Sequence, residues 1–229
     1  MHLLILDGAH LAAEFRQKFG PAHRYTFVPA VPGRLVDEIE EAMPLLDDAL
    51  PTVEVVFDFG NYGPLYEEQE GLVVFVEAAT ESLTGRFGAD KPGYLVFGFC
   101  GLPTLLNRPR LEVSLYDEAD AGPLQAACAR LGTAYSRVAD RVGLLTPRLL
   151  ALSVNEACYA LQEGLAALPE AHQALQQNGA ASPFAQANAL GLNRVLDVLN
   201  TLWDDTHDAR YQVCPLLKRL ALRGESFAL

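Results

Sequence analysis

A series of short apolar segments, separated by helix-like stretches, limits the folds open to this chain more than any other feature. Leu3-Leu4-Ile5-Leu6 ends at Asp7-Gly8, the punctuation of a strand entering a turn. Tyr25 to Val28, Val53 to Phe57, Leu72 to Val76 and Tyr94 to Gly98 also read as strands, and Leu111 to Leu115 alternates polar with apolar side chains. Between the first two, Leu11, Phe15 and Phe19 fall four apart, a helical stripe that Gly20-Pro21 stops. Leu35 to Leu50 is acidic and helix-prone. Strands alternating with helices predict an α/β fold with a mainly parallel sheet under helical cover.

From Gly122 the texture changes. Pro123 to Leu131 reads as helix, a short strand containing Val138 precedes Asp140, and everything beyond Gly143 has helical periodicity. Leu150, Val154, Ala157 and Leu161 form one stripe; Leu192, Val195, Leu196 and Leu199 form another, continued by Leu202 and Trp203. Gly143 therefore marks the expected boundary, with an α/β unit over residues 1–142 and an all-helical unit over 143–229. Half of the 229 residues are hydrophobic, which excludes disorder. A net charge of −12 argues against a sequence-independent grip on nucleic acid or an anionic membrane surface. No apolar run approaches the ~18–20 residues a bilayer span requires. No signal peptide is expected from the start of the chain. Cys100, Cys128, Cys158 and Cys214 lack CxxC spacing, so reduced thiols and a cytoplasmic location are expected.

Longer motifs appear in the second half. Asp140 to Leu150 (DRVGLLTPRLL) is followed by Asn155-Glu156-Ala157 and Glu163-Gly164. Ser182-Pro183-Phe184, Leu190 to Leu196 (LGLNRVL), Asp208-Ala209-Arg210-Tyr211 and Pro215-Leu216-Leu217 come next. In order and spacing this stretch resembles the helical domain of the 3-hydroxyacyl-CoA dehydrogenases, specifically over residues 132–224 and diffusely before them. It is most similar to the degenerate second unit of the longer members found in phenylacetate breakdown. The resemblance implies a Rossmann-like first domain, NAD as cofactor, and a dimer formed through the helical domain.

The family's site residues are replaced at most of the matching positions. Its glycine-rich turn, which lets backbone N–H groups and a helix N-terminus approach a pyrophosphate, corresponds to Asp7, Gly8, Ala9 and Ala12. Asp7 stands at the first glycine position and adds a carboxylate there, while Gly8 serves the turn. The second strand ends at Val28-Pro29 without the acidic residue that a ribose would need. The family's general base, a His in Gly-x-His oriented by a Glu twelve residues later, corresponds to Gly98-Phe99-Cys100 and Glu112. Cys100 is either a reactive thiol or a small residue at a strand end; Glu112 is either an exposed strand carboxylate or the relic of a dyad. The family's active-site Asn before Arg-Leu-Leu is Pro147. In the stretch resembling Asn-Thr-Ser-Ser-Leu, the Asn is Ala79 and the first Ser is Glu81, with Ser82 kept. The segment from Asn61 to Gly71 is short where active members hold a helical excursion that handles CoA.

The five histidines are scattered without metal-ligand spacing, so no metal is expected. Neither a Gly-x-Ser-x-Gly elbow nor a Walker loop is present, and the acidic pairs, Asp47-Asp48 among them, read as solvated surface. The first expectation is a family member that has lost catalysis and NAD and acts as a dimeric binding or scaffold protein. The alternatives are a divergent NAD-dependent 3-hydroxyacyl-CoA dehydrogenase, and a non-catalytic sensor of acyl-CoA or another small molecule.

Overall fold

The computed structural model of the chain describes residues 1–29, 44, 46–60, 63, 71–176 and 179–229. The acidic helix expected over Leu35 to Leu50 and the Asn61–Gly71 segment lie largely outside the described residues.

Seven strands form one sheet: β1 (His2–Leu6), β2 (Arg24–Val28), β3 (Val55–Asp58), β4 (Val73–Glu77), β5 (Leu95–Phe99), β6 (Arg110–Leu115) and β7 (Ala134–Val138). Their spatial order is β2-β1-β3-β4-β5-β6-β7. All neighbours run parallel except β5 and β6, which pair antiparallel. α1 (Ala12–Phe19) links β1 to β2, α2 (Leu83–Phe87) links β4 to β5, and α3 (Ala121–Leu131) links β6 to β7. The mainly parallel α/β sheet is therefore as expected, with one reversed pair.

The apolar runs work because alternate side chains of a strand point to opposite faces. On one face Leu3, Ile5, Phe57, Phe75, Phe97 and Phe99 pack against Phe15 and Phe19 of α1 and against Leu124, Cys128 and Leu131 of α3. Phe57 and Phe75 stack at 5.1 Å, and Phe99 meets Phe57 edge-on at 5.2 Å. On the other face Leu4, Leu6, Val56, Val74 and Val96 pack against Leu46 and Leu83. A strand apolar at every position is thus buried on both sides.

The rest is helical: α4 (Thr146–Gln162), α5 (Leu168–Ala174), α6 (Pro183–Leu190), α7 (Leu192–Thr206) and α8 (Pro215–Leu222). Among the described residues no strand occurs beyond Val138. No described helix is long and apolar enough to cross a membrane. A third core joins the helices to the strand ends. Ala78, Ala79, Cys100, Leu102 and Leu105 pack in it with Val154, Cys158, Val195, Leu199 and Leu202.

The α7 stripe belongs to this core. Leu192, Val195, Leu196, Leu199 and Leu202 are all buried within the chain itself, whereas Trp203 is 37% exposed. The stripe is therefore taken up by the chain's own core. Leu199→Ala is expected to cost about 2–5 kcal/mol of stability in urea denaturation, by the same amount at low and high protein concentration. A loss that vanishes at high concentration would place Leu199 in an interface.

Candidate functional site

In open α/β sheets ligands bind outside the carboxyl ends of the strands, where the strand order reverses. Here that point lies between β1 and β3, which flank each other although β2 follows β1 in sequence. A cavity of about 360 Å3 opens there, lined by Asp7, His10, Phe59, Glu77, Arg194 and Asp197 among others.

The turn after β1 has the first glycine's backbone without the glycine. Asp7 has φ +60°, the left-handed conformation that glycine adopts most readily. Burial, with Asp58 adding to it, holds the Asp7 carboxyl above its ordinary range against the attraction of His10. Gly8 has φ −106°, which any residue adopts. Its need is space: a Cβ there would lie 2.4 Å from Ile5 Cγ2 and 2.6 Å from the Phe59 ring. Gly8 therefore serves close packing, rather than the turn as expected. Gly101 shows the same constraint, since its Cβ would lie 2.5 Å from Phe59. The Phe59 ring thus packs closely on both glycines, with His10 edge-on to it at 5.9 Å. Ala9 starts a single 3-10 turn over Ala9–Leu11, and Ala12 opens α1.

Glu77, half-buried at the end of β4, accepts from the backbone N–H of Ala79 at 2.9 Å and of Gly101 at 3.4 Å through one oxygen. Burial pushes its carboxyl up to about 7 despite these bonds and the nearby Arg86 guanidinium. Burial and then Arg194 hold His10 below its ordinary value. Carboxylates from β1, β4 and α7 therefore converge on this crevice, with Arg194 and His10 opposing them.

The two family dyad positions are joined through the backbone, the Cys100 N–H donating to the Glu112 carbonyl at 3.2 Å, while their side chains are employed separately. Cys100 is buried in the third core, and burial, with Glu77 and Glu112 adding to it, pushes its thiol far up. A thiol so placed holds little of the thiolate that acts as nucleophile or base. The Glu112 carboxylate is half-buried rather than exposed. It accepts from the backbone N–H of Leu145 at 2.6 Å and of Thr146 at 3.0 Å, and from the Thr146 hydroxyl. Those are orphan donors at the start of α4, so Glu112 is a helix cap supplied from strand β6. Asp140 does the converse, accepting from Leu83 N, Thr84 N and Thr84 Oγ1 at 2.7–2.8 Å at the start of α2.

The other substituted positions also have structural partners. Pro147 sits in the first turn of α4, where a missing N–H leaves no intrahelical bond unmade. Glu81 pairs with Arg86 at 2.9 Å. Ser82 caps α2 by accepting from Gly85 N at 2.9 Å, a role more definite than a loop hydroxyl. Asp47 and Asp48 are exposed, as expected of solvated surface. Among the described residues no group of three His, Cys, Asp or Glu side chains is placed to hold a metal.

Sequence reading missed Glu77 and Phe59. Each lies at the end of an apolar run, and a carboxylate or ring closing a strand at a switch point was the available signal. The Glu77 proton is held up to about 7 in the folded chain but leaves near 4.5 once the chain unfolds. The folded state then binds more protons between those values, so stability falls as pH rises through them. Melting temperatures measured from about pH 6 to about pH 8 are expected to decline in the unmodified protein and to decline less in Glu77→Gln. Equal slopes would contradict the assignment.

Comparison with known proteins agrees with this architecture. Residues 143–226 match the family described as "3-hydroxyacyl-CoA dehydrogenase, C-terminal domain". The chain is 31% identical over 110 residues, 47% of its length, to the "Probable 3-hydroxybutyryl-CoA dehydrogenase" of Bacillus subtilis (strain 168). It is 34% identical over 93 residues, 40% of its length, to the "3-hydroxyadipyl-CoA dehydrogenase" of Escherichia coli (strain K12). These matches span only 38% and 20% of the two relatives. The fold is shared across nearly the whole chain with the (S)-3-hydroxybutyryl-CoA dehydrogenase PaaH1 from Ralstonia eutropha, at TM-score 0.72 and 17% identity, over 97% of this chain and 94% of that one. M. tuberculosis FadB2 gives TM-score 0.73 at 17% identity, over 99% and 95%. A Rossmann-like sheet followed by helices is common to them, and residues 143–226 are similar to the C-terminal domain of the 3-hydroxyacyl-CoA dehydrogenases.

Proposed function

We propose that the chain is a family member that no longer transfers hydride and works in the cytoplasm as a dimeric binding or scaffold protein. The observation that carries this reading is the separate employment of the two dyad positions. Cys100 is a core residue with a strongly raised pKa, and Glu112 is committed to the N-terminus of α4. A base must titrate near the working pH, and burial pushes the Cys100 thiol far above it.

The crevice residues do not fit a dinucleotide. A pyrophosphate needs side chains absent and N–H groups facing it, but the turn presents Asp7, and the Phe59 ring packs directly on Gly8. Glu77 and Asp197 add negative charge to the same cavity. β2 runs into Val28-Pro29, with no carboxylate for a ribose. The loss of base and of cofactor fit are independent, which favours the non-catalytic reading over a single damaged residue. The cavity is open to a small molecule other than NAD, the sensor reading. Dimerisation through the helical part rests on the apolar side chains it leaves exposed, Trp203, Leu165 and Leu222.

One observation favours the divergent enzyme. Glu77, with its carboxyl at about 7, has the titration of a general acid or base and lines the crevice. The same assay tests both readings. With NAD and 3-hydroxybutyryl-CoA, no NADH is expected to form in the unmodified protein or in Cys100→His, because the cofactor defect persists when the base is restored. A lone missing base costs ~10²–10⁴ in rate, so measurable turnover that rises in Cys100→His, or that is abolished by Glu77→Gln, would overturn the proposal. Sedimentation is expected to show a dimer that Trp203→Asp splits; a monomer at micromolar concentration would remove the dimer.

A further inference from the structure

The crevice between β1 and β3 turns away a dinucleotide, and the same side chains that do so select a ligand of the opposite charge. Asp7, Glu77 and Asp197 line it, with Arg194 and His10 as the bases among its side chains. Burial holds the Asp197 carboxyl above its ordinary range, as it does those of Asp7 and Glu77. Among the described residues none of the three has a basic partner within ion-pairing distance. Burial and then Arg194 keep His10 below its ordinary value, so at neutral pH the imidazole adds no positive charge. Arg194 is then the one charged base set against three acids. The balance stays negative even while Glu77 holds its proton.

Partly desolvated carboxylates without a counter-charge are stabilised by a cation that enters among them. A bare metal ion is not that cation, because among the described residues no three acidic, His or Cys side chains are placed to hold one. The cavity of about 360 Å3 lies instead at the lower end of the ~300–1,000 Å3 range of small-molecule sites. Phe59 gives it an aromatic wall. The ring is held against Gly8 and Gly101 and lies edge-on to Phe99 at 5.3 Å. An aromatic face attracts an ammonium group and covers its carbon stem.

The remaining polar atoms are acceptors. One Glu77 oxygen takes the Ala79 and Gly101 N–H groups, which leaves its other oxygen without a hydrogen bond among the described residues. The Thr80 hydroxyl lines the cavity as well. Acceptors of this kind suit a cation that itself carries N–H donors. We propose that the crevice binds a short aliphatic primary ammonium ion, its N–H groups directed at the carboxylates and its hydrocarbon stem against Phe59. The assignment rests on the sensor reading of this cavity and names the chemistry it would sense.

Calorimetric titration of the full chain with n-butylamine, butan-1-ol, butyrate and tetramethylammonium tests it, at about pH 8, where aliphatic amines are cations. Butylamine is expected to bind once per chain, and the alcohol and the acid at least tenfold more weakly. Tetramethylammonium has the charge without N–H donors and should also bind at least tenfold more weakly. Equal binding of the two cations would mean that the net charge of −12 draws them to the surface, and would overturn the proposal. Asp7→Asn should weaken butylamine at least tenfold and keep the melting temperature, because asparagine tolerates the left-handed backbone at φ +60°. Asp197→Asn, on the exposed side of the crevice, should weaken it severalfold. Unaltered affinity in both variants would overturn the proposal. NAD titrated in parallel separates the two readings: NAD binding would overturn the loss of the cofactor site and this assignment with it, whereas failure of both NAD and butylamine to bind would overturn this assignment alone.

Discussion

The contact between the Glu112 carboxylate and the first turn of α4 decides most of what this molecule can and cannot do. A helix begins with N–H groups that have no partner inside it, and a positive end that attracts a carboxylate. α4 has no acidic residue in its own first turn, and Glu112 reaches it from strand β6, 33 residues earlier. Asp140, between β7 and α4, caps α2 beneath the sheet. Two carboxylates thus tie the sheet to the helices at neighbouring points, each by charge-assisted bonds of the stronger class. The third core, with Cys100 and Ala79 packed against α4 and α7 residues, fills the space between these ties. In this arrangement a Glu that could orient an imidazole is an anchor, and the position of that imidazole is core.

The crevice follows from the same substitutions seen at the strand ends. Asp7 keeps the left-handed backbone of a glycine turn while bringing a charge that a pyrophosphate would oppose. Phe59 requires Gly8 and Gly101 to have no side chain, so two glycines that could suggest a nucleotide turn answer to an aromatic ring. What remains is a small polar cavity whose balance of Asp7, Glu77 and Asp197 against His10 and Arg194 shifts near neutral pH through Glu77.

Much of the sheet was legible in the residues because burial on both faces forces continuous apolar runs, and Leu3 to Leu6 or Val73 to Val76 can satisfy few other arrangements. Direction was not legible: periodicity is the same forwards and backwards, so the antiparallel β5–β6 pair could not be read. Nor could the owner of an apolar stripe. Leu192 to Leu202 had to be covered, but spacing cannot say whether by the same chain or by another copy. At the site, the twelve-residue interval from Cys100 to Glu112 was legible from the resemblance, while the partner of Glu112 lay at a sequence distance no local pattern reports. Gly8 shows the same limit, because the reason for its missing side chain is a ring 51 residues away.

The central claim is that Glu112 is a helix cap rather than half of a catalytic pair, and amide hydrogen exchange reads it directly. In the unmodified protein the Leu145 and Thr146 amides should be protected, since each donates to Glu112. Glu112→Gln should speed their exchange, as substituting a helix cap typically loses ~0.5–2 kcal/mol, while amides in the middle of α4 change little. Unaltered protection at Leu145 and Thr146 would mean that the carboxylate is employed elsewhere, and the account of this junction would fail.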